Sequence, residues 1–150
     1  MKRSGYLLLL FLIMSLVSLA IVSSKYIEAQ NKNNELQRSI DNTFKYQLSN
    51  TLSSFSMIVN DYTYRSMLSS VATVASLSEL TSYADINDDL DISLHNLFIS
   101  LREDKSKDKV LLRVDEIREI FFMLVQEPTS KEATDRLSQI ANETFFSIKD

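Results

Sequence analysis

The sequence lacks several residue types that specify particular folds and sites. Its 150 residues include no cysteine, one glycine and one proline. Without cysteine the chain can form no disulfide, no cysteine-ligated zinc or iron–sulfur site and no thiol nucleophile. Tight β-hairpins depend on glycine or proline at their turns, and only Gly5 and Pro128 are present. The composition therefore predicts an all-α fold.

Few residues are available for catalysis. His95 is the single histidine, and the sequence contains no glycine-rich phosphate loop, serine elbow or zinc-binding helix motif. The carboxylates of Asp115 and Glu116 are adjacent, so on a helix they would not face one common point. We therefore expect neither enzymatic activity nor a cofactor.

An apolar segment near the N-terminus is long enough to span a membrane. Its 17 uncharged residues run from Tyr6 to Val22, at the low end for a spanning helix. Lys2 and Arg3 precede this segment, which predicts that the N-terminus is cytoplasmic and the remainder extracytoplasmic. The predicted organisation is a cytoplasmic N-terminus over 1–5, a transmembrane signal anchor over 6–24, a stalk or helix continuation over 25–35, and a helical domain over 36–150.

Both ends of the apolar segment carry residues that are typical of membrane interfaces. Tyr6 and Tyr26 are 20 residues apart. On a helix that separation is roughly 30 Å, which matches the hydrocarbon thickness of a bilayer. The predicted interface anchors are Lys2, Arg3, Tyr6, Lys25 and Tyr26. A cleaved signal peptide is the alternative, because the stretches 18–20 and 22–24 offer small residues for a signal peptidase.

The net charge of the exported part disfavours anionic partners. Without Lys2 and Arg3, 14 of the 16 basic residues remain against 20 acidic ones, so this part carries about −6 at pH 7. No run of basic residues occurs beyond the N-terminus. We therefore expect no binding to nucleic acid and none of the domain to an anionic membrane surface.

Apolar residues after the predicted anchor recur at helical spacings of three and four. The first seam comprises Phe44, Leu48, Thr51, Phe55, Ile58 and Tyr62, and its register fails at Asn60-Asp61, which is consistent with either a turn or a kink there. A third helix is predicted to start at Asp85 and to align Ile86, Leu90, Leu94, Leu97, Phe98 and Leu101. Residues 102–109 are predicted to be a charged connection, followed by a helix from Val110 to Leu124 and, after Pro128, a last helix capped by Thr129. Such helices can bury their apolar sides only against one another, which predicts an antiparallel four- or five-helix bundle.

Residues 66–78, between the first seam and the predicted third helix, contain no charged residue and would present two apolar faces on a helix. The favoured interpretation is a deeply buried helix of the bundle. The alternative is that one face contacts a partner protein. The candidate interaction residues are Val71, Ala72, Val74 and Ala75.

An aspartate-rich segment, residues 83–93, contains a partial match to a calcium-binding loop. Asp85, Asn87 and Asp89 occupy the first three ligand positions. The sixth position, normally glycine, is a leucine, and the twelfth, normally glutamate, is an asparagine. The favoured interpretation is the acidic start of a helix, with negative charge at its N-terminus. The weak metal-ligand candidates are Asp85, Asn87, Asp89, Asp91 and His95.

These observations predict a non-enzymatic single-pass membrane protein. Its extracytoplasmic helical bundle would be a protein-interaction or accessory module in the cell envelope, with an envelope or membrane protein or a second copy as partner. Two alternatives remain: a small-ligand sensor that signals through a separate membrane partner, and a secreted soluble helical factor released by signal cleavage. A polar pocket would favour the sensor, and the mass of the mature protein would identify the secreted form.

Overall fold

The computed structural model describes residues 2–146, except for the side chains of residues 2–5 and 7–9. Within this range the fold is all-helical, as the composition predicts, and contains no strand. The helices are α1 (Lys2–Phe55), α2 (Asp61–Ser78), α3 (Leu90–Arg102), α4 (Asp104–Leu111), α5 (Val114–Gln126) and α6 (Lys131–Ala141), and a π-helical turn (Asn142–Phe146) follows α6.

Helix α1 is uninterrupted over 54 residues and includes the predicted stalk, residues 25–35. Its apolar part has a mean hydropathy of 2.0 over an 18-residue window and buries nothing inside the protein. By length and composition it is the one helix of the described chain that can cross a membrane or act as a signal anchor. The chain divides into two compact units, Met1–Arg38 and Ser39–Asp150, and α1 runs across the boundary.

The second unit contains one hydrophobic core. Helices α1, α2, α3, α5 and α6 contribute its largest side chains, which include Phe44, Leu48, Phe55, Met67, Val71, Leu94, Leu97, Leu101, Ile117, Phe121, Leu124, Leu137 and Ile140. Phe55 of α1 and Phe121 of α5 stack with ring centroids 5.5 Å apart and planes 15° from parallel. The side chains that recur at helical spacing therefore form the core.

A loop of five residues separates α1 from α2, close to the turn or kink predicted at Asn60-Asp61. Asn60 is the N-cap of α2, and its Oδ1 accepts hydrogen bonds from the backbone N–H groups of Tyr62 and Thr63. The prediction that Ile58 and Tyr62 continue the buried seam is wrong, since their side chains are 88% and 81% exposed. Because α1 ends at Phe55, Ile58 lies in the loop, and α2 starts in a new register that turns Tyr62 outward.

The predicted start of the third helix at Asp85 is also wrong. Residues 79–89 form successive turns, α3 begins at Leu90, and Ile86 is exposed. Two contacts hold this segment: the Asn87 side chain donates to Thr134 Oγ1 at 2.8 Å, and Ser82 donates from its N–H and hydroxyl to the Asp41 carboxylate at 2.9 and 2.7 Å. These long-range bonds override the local tendency of the aspartates to start a helix.

The charged segment 102–109 is mostly helix, not a connection. Ser106 and Val110, four residues apart, are buried on the inner side of α4, and Ser106 Oγ donates to the Ser100 carbonyl at 2.7 Å. Lys105 lies 4.1 Å from the ring centroid of Phe145, and Lys107 lies 3.9 Å from that of Tyr64. The predicted helix from Val110 to Leu124 is consequently divided between α4 and α5.

Pro128 separates α5 from α6 as predicted, but Ser130 caps α6 in place of Thr129. The Ser130 hydroxyl accepts a hydrogen bond from the Ala133 N–H.

Candidate functional site

The aspartate-rich segment is tied into the domain through its asparagine. The Asn87 side chain is buried against α6, while Asp85 and Asp89 face solvent. Asp91 and His95 border a shallow cavity of about 170 Å³ together with Glu79. Among the described residues, no three His, Asp or Glu side chains are grouped so that they could hold a metal ion.

We expect Asn87→Ala to lower the free energy of unfolding by about 1–3 kcal/mol, because a buried hydrogen bond to Thr134 is lost. Asp85→Ala, an exposed change in the same segment, should stay within about 0.5 kcal/mol of wild type. Urea unfolding followed by far-UV circular dichroism measures both. Equal losses would contradict the structural role of Asn87. A rise in Tm on adding calcium that Asp89→Asn removes would instead support the metal-site interpretation of this segment.

Three of the four candidate interaction residues of α2 belong to the interior. Val71 and Val74 are fully buried, Ala75 is nearly so, and Ala72 is half-buried. This face of α2 packs against the core, as the buried-helix interpretation predicts. In a folded monomer Val71, Val74 and Ala75 offer no free surface.

Three of the five predicted interface anchors can be located in the structure. The side chains of Tyr6 and Tyr26 are exposed on α1, and Lys25 Nζ forms an ion pair with Glu28 Oε2 at 2.8 Å. The side chains of Lys2 and Arg3 lie outside the described part of the chain. An exposed ion pair of this kind contributes little to stability in water.

An open groove of about 520 Å³ lies on the second unit, and we refer to it as the α1/α5/α6 groove. Its lining residues come from three helices and the loop after α1: Leu52 of α1, Ser56 of the loop, Arg118, Glu119, Phe122 and Met123 of α5, and Arg136 of α6. Phe122 is 56% exposed, although its neighbour Phe121 is fully buried. The groove thus combines an exposed aromatic ring with apolar walls and two guanidinium groups.

The charges around this groove are of both signs, and those that face Arg136 are only loosely paired with it. Arg118 forms an ion pair with Asp115 at 2.8 Å on the exposed side of α5. Arg136 lies 3.4 Å from Glu119 and 3.9 Å from Glu116, which are long contacts for an ion pair. Its Nη1 is 3.6 Å from Met123 Sδ. The half-buried guanidinium of Arg136 therefore retains donors for a further acceptor at the groove.

Three exposed apolar residues, Met57, Ile58 and Val59, directly follow Ser56 of the groove, and we call them the apolar loop. Their backbone is fixed by hydrogen bonds, since the Ile58 carbonyl accepts from Thr63 Oγ1 at 2.8 Å and from Asn60 Nδ2 at 3.4 Å. The Ile58 side chain is thus held in solvent by an ordered turn. Sequence periodicity placed this residue in a helical seam, but the Asn60-x-x-Thr63 capping pattern could have identified the loop.

A second groove, of about 540 Å³, is polar and lies along α1 and α2. Its lining residues are Gln47, Tyr62, Arg65, Ser66, Ser69, Ser70 and Thr73. Ser70 and Thr73 already donate to carbonyls of their own helix, at 2.9 Å each. This surface is consequently less available for binding a ligand than its composition indicates.

An ion-pair cluster joins the C-terminal π-helical turn to the start of α5. Arg113 pairs with Glu116 and with Glu143, whose other carboxylate oxygen accepts from Gln139 Nε2 at 2.7 Å. The hydrogen bonds from Gln139 and Arg113 lower the pKa of Glu143 below its ordinary value of 4.5. Bonding to Glu116, and then to Glu143, raises the pKa of Arg113.

This cluster predicts a pH-dependent contribution to stability. Because the folded-state pKa of Glu143 is depressed, its contribution is present above the ordinary value of 4.5 and is lost as the pH falls through the folded-state pKa. Glu143→Gln should therefore be less stable than wild type at neutral pH, and the difference should shrink in acid. Urea unfolding of both proteins across this pH range measures the effect, and a difference that is independent of pH would contradict it.

Comparisons with protein-family models, with curated proteins and with solved structures find no match to this chain. Its function is therefore inferred from its own residues and their geometry.

Proposed function

We propose that the protein is a non-enzymatic, single-pass membrane protein whose extracytoplasmic helical bundle binds a protein partner in the cell envelope, either another envelope or membrane protein or a second copy of this chain. Residues 6–24 would be the anchor, with Lys2 and Arg3 keeping the N-terminus inside. One observation carries the proposal: the α1/α5/α6 groove and the apolar loop form an uncovered apolar surface next to an otherwise well-packed core.

The residues of this surface support a protein as the partner. Aromatic residues, methionine and arginine are the types enriched where proteins bind one another, and Phe122, Met123, Arg118 and Arg136 line the groove. Ile58, two residues after Ser56 of the groove, adds a further exposed apolar side chain. A soluble monomer rarely keeps such residues together in contact with water, so their exposure favours a binding surface.

The anchor is supported by the exposed apolar part of α1. None of its most apolar window is buried inside the protein, so a bilayer is the environment that would remove these side chains from water. The basic residues precede the apolar run, which favours a cytoplasmic N-terminus. The sensor alternative has less support, because its best candidate, the polar groove of α1 and α2, has hydroxyl groups already bonded within α2.

Site-specific photo-crosslinking in cells tests the proposal. A benzophenone amino acid at position 122 should capture a discrete protein, because Phe122 lines the groove and is exposed. The matched control is position 46, where Tyr46 is an aromatic residue 64% exposed on α1. Adducts at 122 and not at 46 are the expected result. No adduct at 122, or equal adducts at both positions, would contradict the proposal.

A further inference from the structure

We infer that the occupant of the α1/α5/α6 groove is a second copy of this chain, and that the two copies exchange their apolar loops. Ile58 of each copy enters the groove of the other. The inference rests on the proposed function and names the partner of that same surface.

The first argument is the position of the loop relative to the groove. Ser56 lines the groove, and Met57, the first residue of the apolar loop, is bonded directly to it. A twofold-symmetric dimer uses the same patch on both copies, so the patch must contain both an inserting group and a cavity. Ile58 supplies the inserting side chain, and Leu52 and Phe122 supply apolar groove walls beside it.

The second argument is the order of the loop. An apolar loop that must become ordered on binding loses affinity through the conformational entropy of that step. Here Asn60 and Thr63 hold the Ile58 carbonyl, and the Met57 N–H donates to the Ser54 carbonyl at 3.4 Å. The Ile58 side chain is therefore exposed on a backbone that is already hydrogen-bonded before any partner arrives.

The third argument is the arrangement of charge. The exported part as a whole carries about −6, so two copies repel one another at most approaches. At the groove, Arg118 and Arg136 lie among Asp115, Glu116 and Glu119, so this patch has both signs. Two identical patches of mixed charge can pair opposite signs across a twofold axis, whereas patches of a single sign would repel.

Single-cysteine crosslinking tests the exchange, because the natural sequence has no cysteine. Full-length Ile58→Cys and Glu119→Cys chains, carrying different tags, are expressed together and oxidised in native membranes. A disulfide that joins the two tags can form only between copies. The matched control replaces Ile58→Cys by Leu112→Cys, because Leu112 is also 88% exposed but does not line the groove.

The expected result is a mixed-tag dimer from the Ile58 pair at about tenfold the yield of the Leu112 pair, because insertion raises the local thiol concentration. Equal yields would overturn the inference, since association through the membrane span alone would bring both pairs together equally. If photo-crosslinking at position 122 captures only a different protein, the second copy is ruled out and the proposed function stands. If position 122 captures nothing, both fail.

Discussion

Val71→Glu is expected to unfold the second unit. Val71 is fully buried in the core, next to Met67, Val74 and Ala75 of the same helix. A carboxylate at this position would lie in an apolar interior without a partner, at a cost of more than about 4 kcal/mol. That is comparable to the whole stability of many domains, which is about 5–15 kcal/mol. Loss of the near-UV circular dichroism of the full-length protein in detergent is the measurement.

The control lies on the outer face of the same helix. Ser69 is exposed, so Ser69→Glu should change the free energy of unfolding by less than about 0.5 kcal/mol. Ala75→Glu should behave like Val71→Glu, because Ala75 faces the same core. If Val71→Glu stayed folded and lost only the capture of a partner, α2 would be an interface helix and its burial in the core would be refuted.

The helical fold and much of its core are predictable because they depend on local patterns. Phe44, Leu48 and Phe55 recur at helical spacing, and every one of them is buried. Pro128 marks the break before α6 because proline cannot extend a helix. These signals act within a few residues of one another, so the sequence alone is sufficient to recognise them.

The wrong predictions of helix positions arise where residues distant in the sequence determine the local structure. The start of α3 is displaced from Asp85 to Leu90 in a segment held through Asn87, which bonds to a residue 47 positions away, and through Ser82, which bonds to Asp41. Helix α4 lies in a segment without apolar residues until Val110, and its buried side includes Ser106. Neither arrangement has a signature in the adjacent sequence.

The candidate surface was accessible to sequence reasoning only in part. Asn60 and Thr63 form a capping pattern that leaves Met57, Ile58 and Val59 outside both helices. The groove itself combines α1, α5 and α6, and its residues are separated by up to 84 positions, from Leu52 to Arg136. No single-sequence pattern connects such residues, so the groove is found only once the helices are packed.

Phe121 and Phe122 are adjacent in α5, and replacing each in turn distinguishes an effect on folding from an effect on the proposed binding. Phe121 is fully buried and stacks on Phe55, so Phe121→Ala should lower the free energy of unfolding by about 3–5 kcal/mol. Phe122 is 56% exposed in the groove, so Phe122→Ala should lower it by less than about 1 kcal/mol. Urea unfolding of the full-length protein measures both changes.

With the photo-crosslinker placed at Ile58, the order of the two variants should be reversed for binding, so that Phe122→Ala reduces capture by the folded protein and Phe121→Ala does not. Phe122→Ala removes an aromatic wall of the groove while leaving the core intact, so capture should fall although the protein remains folded. Any loss of capture in Phe121→Ala should instead follow the fraction of unfolded protein. If Phe122→Ala left capture unchanged, the apolar loop would bind somewhere other than this groove, because Phe122 is the one aromatic residue among the described residues that line it.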